Sequence, residues 1–383
     1  TWDSDISYYE DHTIMFINQI KEWDKGEQVV VFLNKENNLK DTRKKISKAD
    51  STHICYYDEE SKTYEYEPGP VEIQERDIIT IAENGKIYKT HYSYGNEVDI
   101  FITNHCNSNC IMCPLSETSR KKNSPEYLSW LKKYIAALPL DVGYINITGG
   151  EPTLAKDYFL DVLNILRSKF QKSGFQILTN GRSLADGALL RRILDMGPSG
   201  MLFAIPVHSC VPDVHDYITQ VNGSFVQTDR GIKNLLKMDQ RVEIRIVLSK
   251  LSIDTVIDTA KYITVHYTGI TTVNFVAMEM MGNAAINKEK IWMDYDQIFI
   301  RIQEAIDILV RNGIDVKLYN FPLCMVKSGY WHIAAKSISA YKIQYQDACE
   351  ACCVKEICGG FFGSTKKLMN PKVYPIQRNG VKI

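Results

Sequence analysis

The sequence predicts an α/β protein built on a partial barrel of six βα units, and three observations lead to that class. From Val98 onward, short β-rich runs alternate with amphipathic helical stretches, the pattern of parallel strands crossed by helices. Strand starts fall near residues 98, 143, 174, 200, 242 and 271, far enough apart for a helical crossover between each pair. The unusual segments each follow one of these strands directly, and in barrels of parallel strands that end carries the active site.

Taken in order, residues 1–97 read as a small α+β module. A helical stretch is expected over Ile14 to Trp23, an apolar strand over Val29 to Leu33, and further strands at His53 to Tyr57, Asp77 to Ala82 and Ile87 to His91. This portion holds 20 acids and 12 bases, a charge of −8, whereas the remainder carries 26 acids and 33 bases, a charge of +7. The asymmetry marks a module boundary near residue 97. Helical faces follow at Phe159, Val162, Leu163, Leu166 and Phe170, then at Ile232, Leu235 and Leu236, and then at Phe299, Ile302, Ile306 and Leu309, ending at Asn312-Gly313. The organisation expected is a module over 1–97, the barrel over 98–313 and a cysteine-rich region over 314–383.

Composition excludes several classes. At 45% apolar and 24% charged residues the chain suits a globular fold and not a disordered tail or fibrous repeat. Two of its longest charge-free runs, between Asp195 and Asp213 and between Lys261 and Glu279, are broken by Gly, His, Ser, Thr or Pro, so no membrane span is expected. The acidic first residues lead into no apolar segment, which makes a cytoplasmic location the expectation. No long basic run carries interleaved aromatics, so nucleic acid is not expected as the main partner. Ten cysteines in such a chain point to metal or redox chemistry.

The cysteines are clustered. Cys106, Cys110 and Cys113 follow the first strand within eight residues, and three thiolates leave one coordination position open where a closed structural site supplies four protein ligands. A zinc knuckle with His105 as fourth ligand is the competing reading. After strand two comes Gly149-Gly150-Glu151-Pro152, whose glycines permit a ligand to approach the sheet edge while carbonyls and a carboxylate accept from an ammonium group. Thr179-Asn180 follows strand three, His208-Ser209 strand four and Ser249 strand five. Ser249 also reads as a helix cap, and His208, Asp213, His215 and Asp216 as caps and surface groups.

The C-x3-C-x2-C spacing of Cys106, Cys110 and Cys113 resembles the defining pattern of the radical SAM superfamily. The resemblance implies a TIM-like barrel and a four-iron, four-sulfur cluster whose unique iron is chelated by S-adenosylmethionine. Electron transfer from the cluster would release a 5'-deoxyadenosyl radical, with flavodoxin or ferredoxin as the expected donor. It further implies that Gly149, Gly150, Glu151 and Pro152 meet the methionine amine, that Thr179, Asn180 and Ser249 lie near the ribose, and that Arg230, after Gly223-Ser224-Phe225, pairs with the methionine carboxylate.

Near the C-terminus, Cys349, Cys352 and Cys358-Gly359-Gly360 resemble the core of the auxiliary-cluster domains called SPASM or twitch. The last cysteine of the full SPASM pattern is replaced by Phe362. One auxiliary iron–sulfur cluster is therefore implied, expected to be of the four-iron type, with Cys324 as fourth ligand and Cys353 as its rival. A zinc site of the same cysteines is the alternative. Over about residues 75 to 365 the chain is similar to radical SAM maturases of the His-Xaa-Ser peptide system. Cys106 to Pro114, His215-Asp216, Val242 to Leu248, Ala277 to Ala284, Asn320 to Cys324, Ser337-Ile338-Ser339 and Cys349 through Phe362 carry that similarity. Leu115-Ser116-Glu117 departs from it. The expected activity is hydrogen abstraction from a ribosomally made peptide. A small metabolite or nucleoside substrate is the alternative, and a zinc-stabilised binding protein lies outside both.

Overall fold

The computed structural model describes strands β1 (His12–Phe16), β2 (Lys48–Ala49), β3 (His53–Asp58), β4 (Thr63–Pro68), β5 (Ile78–Ala82) and β6 (Ile87–His91), then residues 95–120, 131–132, 134–338 and 342–377. The chain divides into two compact units. One comprises residues 1–100, 123–146 and 164–174, and the other residues 101–122, 147–163 and 175–383.

In the first unit β5 pairs antiparallel with both β1 and β6, and β3 pairs antiparallel with β2 and β4. The helix expected from Ile14 is contradicted where it begins. His12-Thr13-Ile14-Met15-Phe16 is a strand whose Ile14 lies opposite Thr80 and whose Phe16 lies opposite Ile78. Antiparallel pairing with β5 overrides the local helical spacing of this stretch. Residues 17–23 of that stretch, and the strand expected over Val29 to Leu33, lie outside the described residues. The remaining expected strands are β3, β5 and β6.

All six expected barrel strands are present: β7 (Glu97–Phe101), β8 (Tyr144–Thr148), β9 (Gly174–Leu178), β10 (Leu202–Pro206), β11 (Arg241–Val247) and β12 (Thr272–Val276). Two more, β13 (Asp315–Tyr319) and β14 (Ala334–Ala335), continue the same sheet past residue 313, in the order β14-β13-β12-β11-β10-β9-β8-β7. The pairs from β9 to β14 are parallel. The result is an eight-stranded curled half-barrel, two strands wider than expected: β13 is Asp315-Val316-Lys317-Leu318-Tyr319 and β14 has only two residues.

Register separates the two faces of this sheet. Ile177, Phe203, Ile205, Val242, Ile244, Val273, Phe275, Val316 and Leu318 share one face across β9 to β13, and all are buried. The other face carries a cluster of polar groups among apolar residues such as Leu202 and Ala204. Gln176 Nε2 donates to Glu243 Oε2 at 2.9 Å, Arg245 pairs with Glu243 at 2.5 Å, and Thr272 Oγ1 donates to Asn274 Oδ1 at 3.3 Å. Helices Asp157–Lys169 and Tyr295–Arg311 bury the residues expected for their core faces, Phe159, Val162, Leu163 and Leu166 in one and Phe299, Ile302, Ile306 and Leu309 in the other. No helix among the described residues is long and apolar enough to cross a membrane.

Candidate active site

The three cysteines lie on the loop that leaves β7, and the glycine pair after β8 holds that loop down. Gly150 N donates to Thr103 O at 2.6 Å and Glu151 N to His105 O at 2.7 Å. A Cβ on Gly149 would sit 2.5 Å from Thr103 O, and one on Gly150 would sit 2.3 Å from His105 O and 2.4 Å from Asn104 O. Gly149 also has φ 150°. The close approach that two glycines permit is therefore made first by the cysteine loop itself. Pro152 opens the short turn Pro152–Ala155, where a missing N–H costs nothing.

Glu151 and Asn180 join three strand ends. The Glu151 side chain is completely buried. Its Oε1 accepts from Thr153 N at 3.2 Å, Thr153 Oγ1 at 2.7 Å and Thr179 Oγ1 at 2.7 Å, and its Oε2 accepts from Asn180 N at 2.7 Å. Burial pushes the carboxyl's proton affinity up, and these four donors oppose it. Asn180 Nδ2 donates to Asn107 Oδ1 at 2.6 Å and lies 4.0 Å from Cys106 Sγ, while Asn180 O accepts from Thr228 Oγ1 at 3.0 Å. Arg182 adds a second tie, from Nη1 to Asn107 O and Ser108 Oγ, and from Nε to Gln227 Oε1 at 2.7 Å.

Desolvation pushes the Cys110 thiol up to about 12, with Cys113 and Cys106 as further causes. Cys106 is raised first by burial, and Glu151 and Cys113 add to this. Arg120 opposes the rise at both thiols. Its buried guanidinium bonds Leu115 O at 3.0 Å and Asn109 Oδ1. From the loop after β12, Asn283 Nδ2 donates to Asn109 Oδ1 at 2.9 Å and Cys110 O at 3.0 Å, and Asn287 Nδ2 to Ile111 O at 3.1 Å. The donor set suits an iron–sulfur cluster: three soft thiols on one braced loop, beside a fixed cation. Among the described residues no three His, Cys, Asp or Glu side chains are gathered as for a single metal ion.

Two expected residues are placed differently. Arg230 is exposed on the Ser224–Lys237 helix. Thr228, two residues earlier, faces Asn180, and two helical residues rotate a side chain about 200° away. Ser249 is fully buried, and its hydroxyl accepts from Leu251 N at 3.2 Å and meets Ser252 Oγ at 3.3 Å, a local turn of the kind its capping reading anticipates. The segment around Gly223-Ser224-Phe225 is a capped helix start. Asp216 accepts from Gly223 N, from Ser224 Oγ at 2.8 Å and from Phe225 N at 2.8 Å, bonds that hold its carboxyl below the usual range against the opposing effect of desolvation.

His208 is not a surface group. It is 3% exposed with neither ring nitrogen hydrogen-bonded, and its ring centroid lies 5.3 Å from that of the equally buried His215. Burial lowers His208 to about 3 and His215 to about 4. Both imidazoles are neutral in the fold, whereas an unfolded chain protonates them as pH falls through about 6.5. Stability attributable to the pair is therefore complete above that value and lost as pH falls toward the folded values. Denaturant titrations between pH 6 and 4.5 are expected to lose about 1.4 kcal/mol less per pH unit in His208→Gln than in the parent, one proton fewer being taken up on unfolding. An unchanged slope would contradict a neutral His208.

The four C-terminal cysteines surround one small enclosed cavity, lined by Cys324, Cys349, Cys352 and Cys358 with Pro322, Tyr345 and Phe361. Backbone N–H groups point at two of the sulfurs. Leu323 N and Gly360 N lie 3.4 and 3.5 Å from Cys358 Sγ, and Ile376 N lies 3.4 Å from Cys352 Sγ. Cys353 is exposed, its own N–H held by Ile376 O at 2.8 Å.

Sequence reasoning missed Arg120, Arg182, Asn109, Asn283 and the polar inner face of Gln176, Glu243, Arg245 and Asn274. The inner face had a signal in Glu243, Arg245 and Asn274, polar residues two apart or isolated between apolar ones within the strands expected near 242 and 271. Arg182 and Asn283 had none, because their partners on the cysteine loop are distant in the chain.

A curled parallel half-barrel with an open three-cysteine loop at its rim defines the class of radical SAM enzymes, and residues 100–263 match the Radical SAM superfamily. Those residues are a radical SAM domain. Among curated proteins the chain is similar to two GTP 3',8-cyclases. That of Limosilactobacillus fermentum is 24% identical over 241 residues, 60% of this chain and 66% of the relative, and that of Lactiplantibacillus plantarum is 25% identical over 224 residues, 56% and 63% respectively. The chain thus spans less than two thirds of either. Among solved structures, Streptococcus suis SuiB bound to S-adenosylmethionine matches at TM-score 0.48 and 14% identity, over 68% of this chain and 55% of that one. The structure anSMEcpe with bound AdoMet matches at 0.44 and 17%, over 58% and 61%.

Proposed function

We propose that this chain is a radical SAM enzyme that abstracts hydrogen from a ribosomally synthesised peptide and installs a post-translational modification. The observation that carries the reading is the braced loop of Cys106, Cys110 and Cys113, tied through Asn107 and Asn180 to Glu151 on the rim above a polar inner face. When bound there, a reduced four-iron cluster and S-adenosylmethionine supply the 5'-deoxyadenosyl radical. Cys106, Cys110 and Cys113 would hold the cluster, and Gly149, Gly150 and Pro152 would border the cofactor's amine. Glu151, Thr179 and Asn180 fix the spacing of three strand ends, and Asn180 and Arg182 hold the cysteine loop in place. Gln176, Glu243, Arg245 and Asn274 line the face against which a substrate is positioned. Flavodoxin or ferredoxin serves as the electron donor.

The peptide reading draws on the similarity to His-Xaa-Ser maturases, including the C-terminal cysteines. The likeness to GTP 3',8-cyclases favours a second reading, a nucleotide or other small metabolite as substrate. Anaerobically reconstituted protein, given dithionite and S-adenosylmethionine, is expected to form 5'-deoxyadenosine, faster with a precursor peptide encoded beside its gene than with GTP. Stimulation and conversion of GTP alone would replace the peptide reading.

Cys324, Cys349, Cys352 and Cys358 are proposed to hold one auxiliary cluster. Four thiolates leave it no open iron, so it passes electrons or shapes the substrate channel and does not bind the cofactor. Iron is expected at about eight per chain, falling to about four in Cys324→Ala with Cys352→Ala and staying near eight in Cys353→Ala. Four irons with one tightly bound zinc would assign the C-terminal site to zinc.

A further inference from the structure

We propose that residues 370–376 form a strap that closes the C-terminal cysteine cavity and must open for metal to enter or leave, an inference that rests on the reading of Cys324, Cys349, Cys352 and Cys358 as a metal site. Val373 and Pro375 line the same small enclosed cavity as the four cysteines. Ile376, at the end of the strap, is buried. A hydrated ion or a cluster under assembly therefore reaches the thiols only when a wall of the cavity moves.

The other walls are fixed to the fold. Trp331 Nε1 donates to Leu323 O at 3.1 Å and to Val326 O at 3.0 Å, on either side of buried Cys324. Tyr345 Oη donates to Cys358 O at 2.9 Å, and the strand Phe361–Phe362 that follows pairs with Ile343–Gln344. The next helix, Gly363–Met369, is held by Thr365, whose Oγ1 accepts from Met280 N at 3.0 Å and donates to Met278 O at 3.3 Å. The strap is tied at its two ends. Gln346 Nε2 donates to Asn370 Oδ1 at 3.1 Å and to Pro371 O at 3.2 Å. Beyond these, Cys353 N donates to Ile376 O at 2.8 Å, and Ile376 N lies 3.4 Å from Cys352 Sγ. Among the described residues no hydrogen bond reaches residues 372–375 between these ties. A segment with so few bonds opens at lower free energy than the paired and helical walls around it. Asn370, left-handed at φ 43° where the helix ends, is the point about which it turns.

Zinc is the probe, because four cysteine sulfurs bind it whether the site natively holds zinc or an iron–sulfur cluster. In the full chain with Cys106, Cys110 and Cys113 replaced by Ala, kept reduced and anaerobic, zinc uptake and zinc release to excess chelator report on the C-terminal site. Gln346→Ala is expected to speed both uptake and release about tenfold, since losing two hydrogen bonds raises the population of the open strap. Ile376→Ala, which keeps its N–H but shrinks the buried end, should speed both as well and gives the second reading should Gln346→Ala melt early. Lys372→Ala, exposed on the strap, should change neither rate. Faster release with unchanged uptake would make the segment a prop for the thiols and overturn the gate. Rates unchanged in both Gln346→Ala and Ile376→Ala would overturn it too and leave the metal reading standing. Failure of the parent background to bind zinc would remove the metal reading and the strap with it.

Discussion

Replacing Cys106, Cys110 and Cys113 together by Ala is expected to abolish 5'-deoxyadenosine formation and to remove about half of the iron, leaving the about four atoms of the C-terminal site. The size of the effect follows from where the thiols stand. Each is a soft ligand on a loop whose backbone is held from the β8, β9 and β12 ends by Gly150, Arg182 and Asn283. Loss of the thiols thus removes the ligands and spares the scaffold. Burial pushes the Cys110 thiol up to about 12, so assembly of the proposed cluster there would release a proton. Assembly should accelerate as pH rises from 7 to 9, and Arg120→Gln should slow it by removing the cation that opposes the rise. A triple variant that still cleaves S-adenosylmethionine would show that the reaction centre lies elsewhere.

The barrel was legible because its short β-rich runs recur at spacings that fit helical crossovers, each followed by an unusual segment. β13 and β14 were not, since Asp315-Val316-Lys317-Leu318-Tyr319 alternates and Ala334–Ala335 is too short to register. The stretch from Ile14 failed for the opposite reason: its helical spacing is local, whereas its pairing with Ile78–Ala82 is separated by more than sixty residues. In the candidate site the motif residues after each strand were found, but their partners were not. Glu151 was read as a ligand group for an ammonium, and its carboxylate in the fold collects four donors from Thr153, Thr179 and Asn180. Arg230 was chosen for its guanidinium, yet Arg182 and Arg120 are arginines that reach the cysteine loop. Spacing reveals which chemistry is present. Which partner each group finds depends on register and on helix rotation, and neither is written in a motif.

Gly150→Ala isolates the structural half of the site. The added methyl would lie 2.3 Å from His105 O and 2.4 Å from Asn104 O, far inside van der Waals contact, and both obstacles are backbone atoms that no rotamer change can move. Either the cysteine loop lifts away or the β8 end shifts, and each movement strains the bonds from Gly150 N to Thr103 O and from Glu151 N to His105 O. Overpacking of this kind costs about 1–3 kcal/mol where neighbours can yield, and the upper end is expected here because they cannot. A displacement of about 1 Å at a reacting centre lowers rate about a hundredfold, so 5'-deoxyadenosine formation should fall by that factor while the C-terminal site keeps its iron. Gly187→Ala is the control. That residue begins the Gly187–Met196 helix with nothing within 4 Å of its added Cβ, so the substitution should leave activity unchanged and raise stability by about 0.4–1 kcal/mol. Equal activity in the two variants would mean that the glycine pair does not hold the cysteine loop.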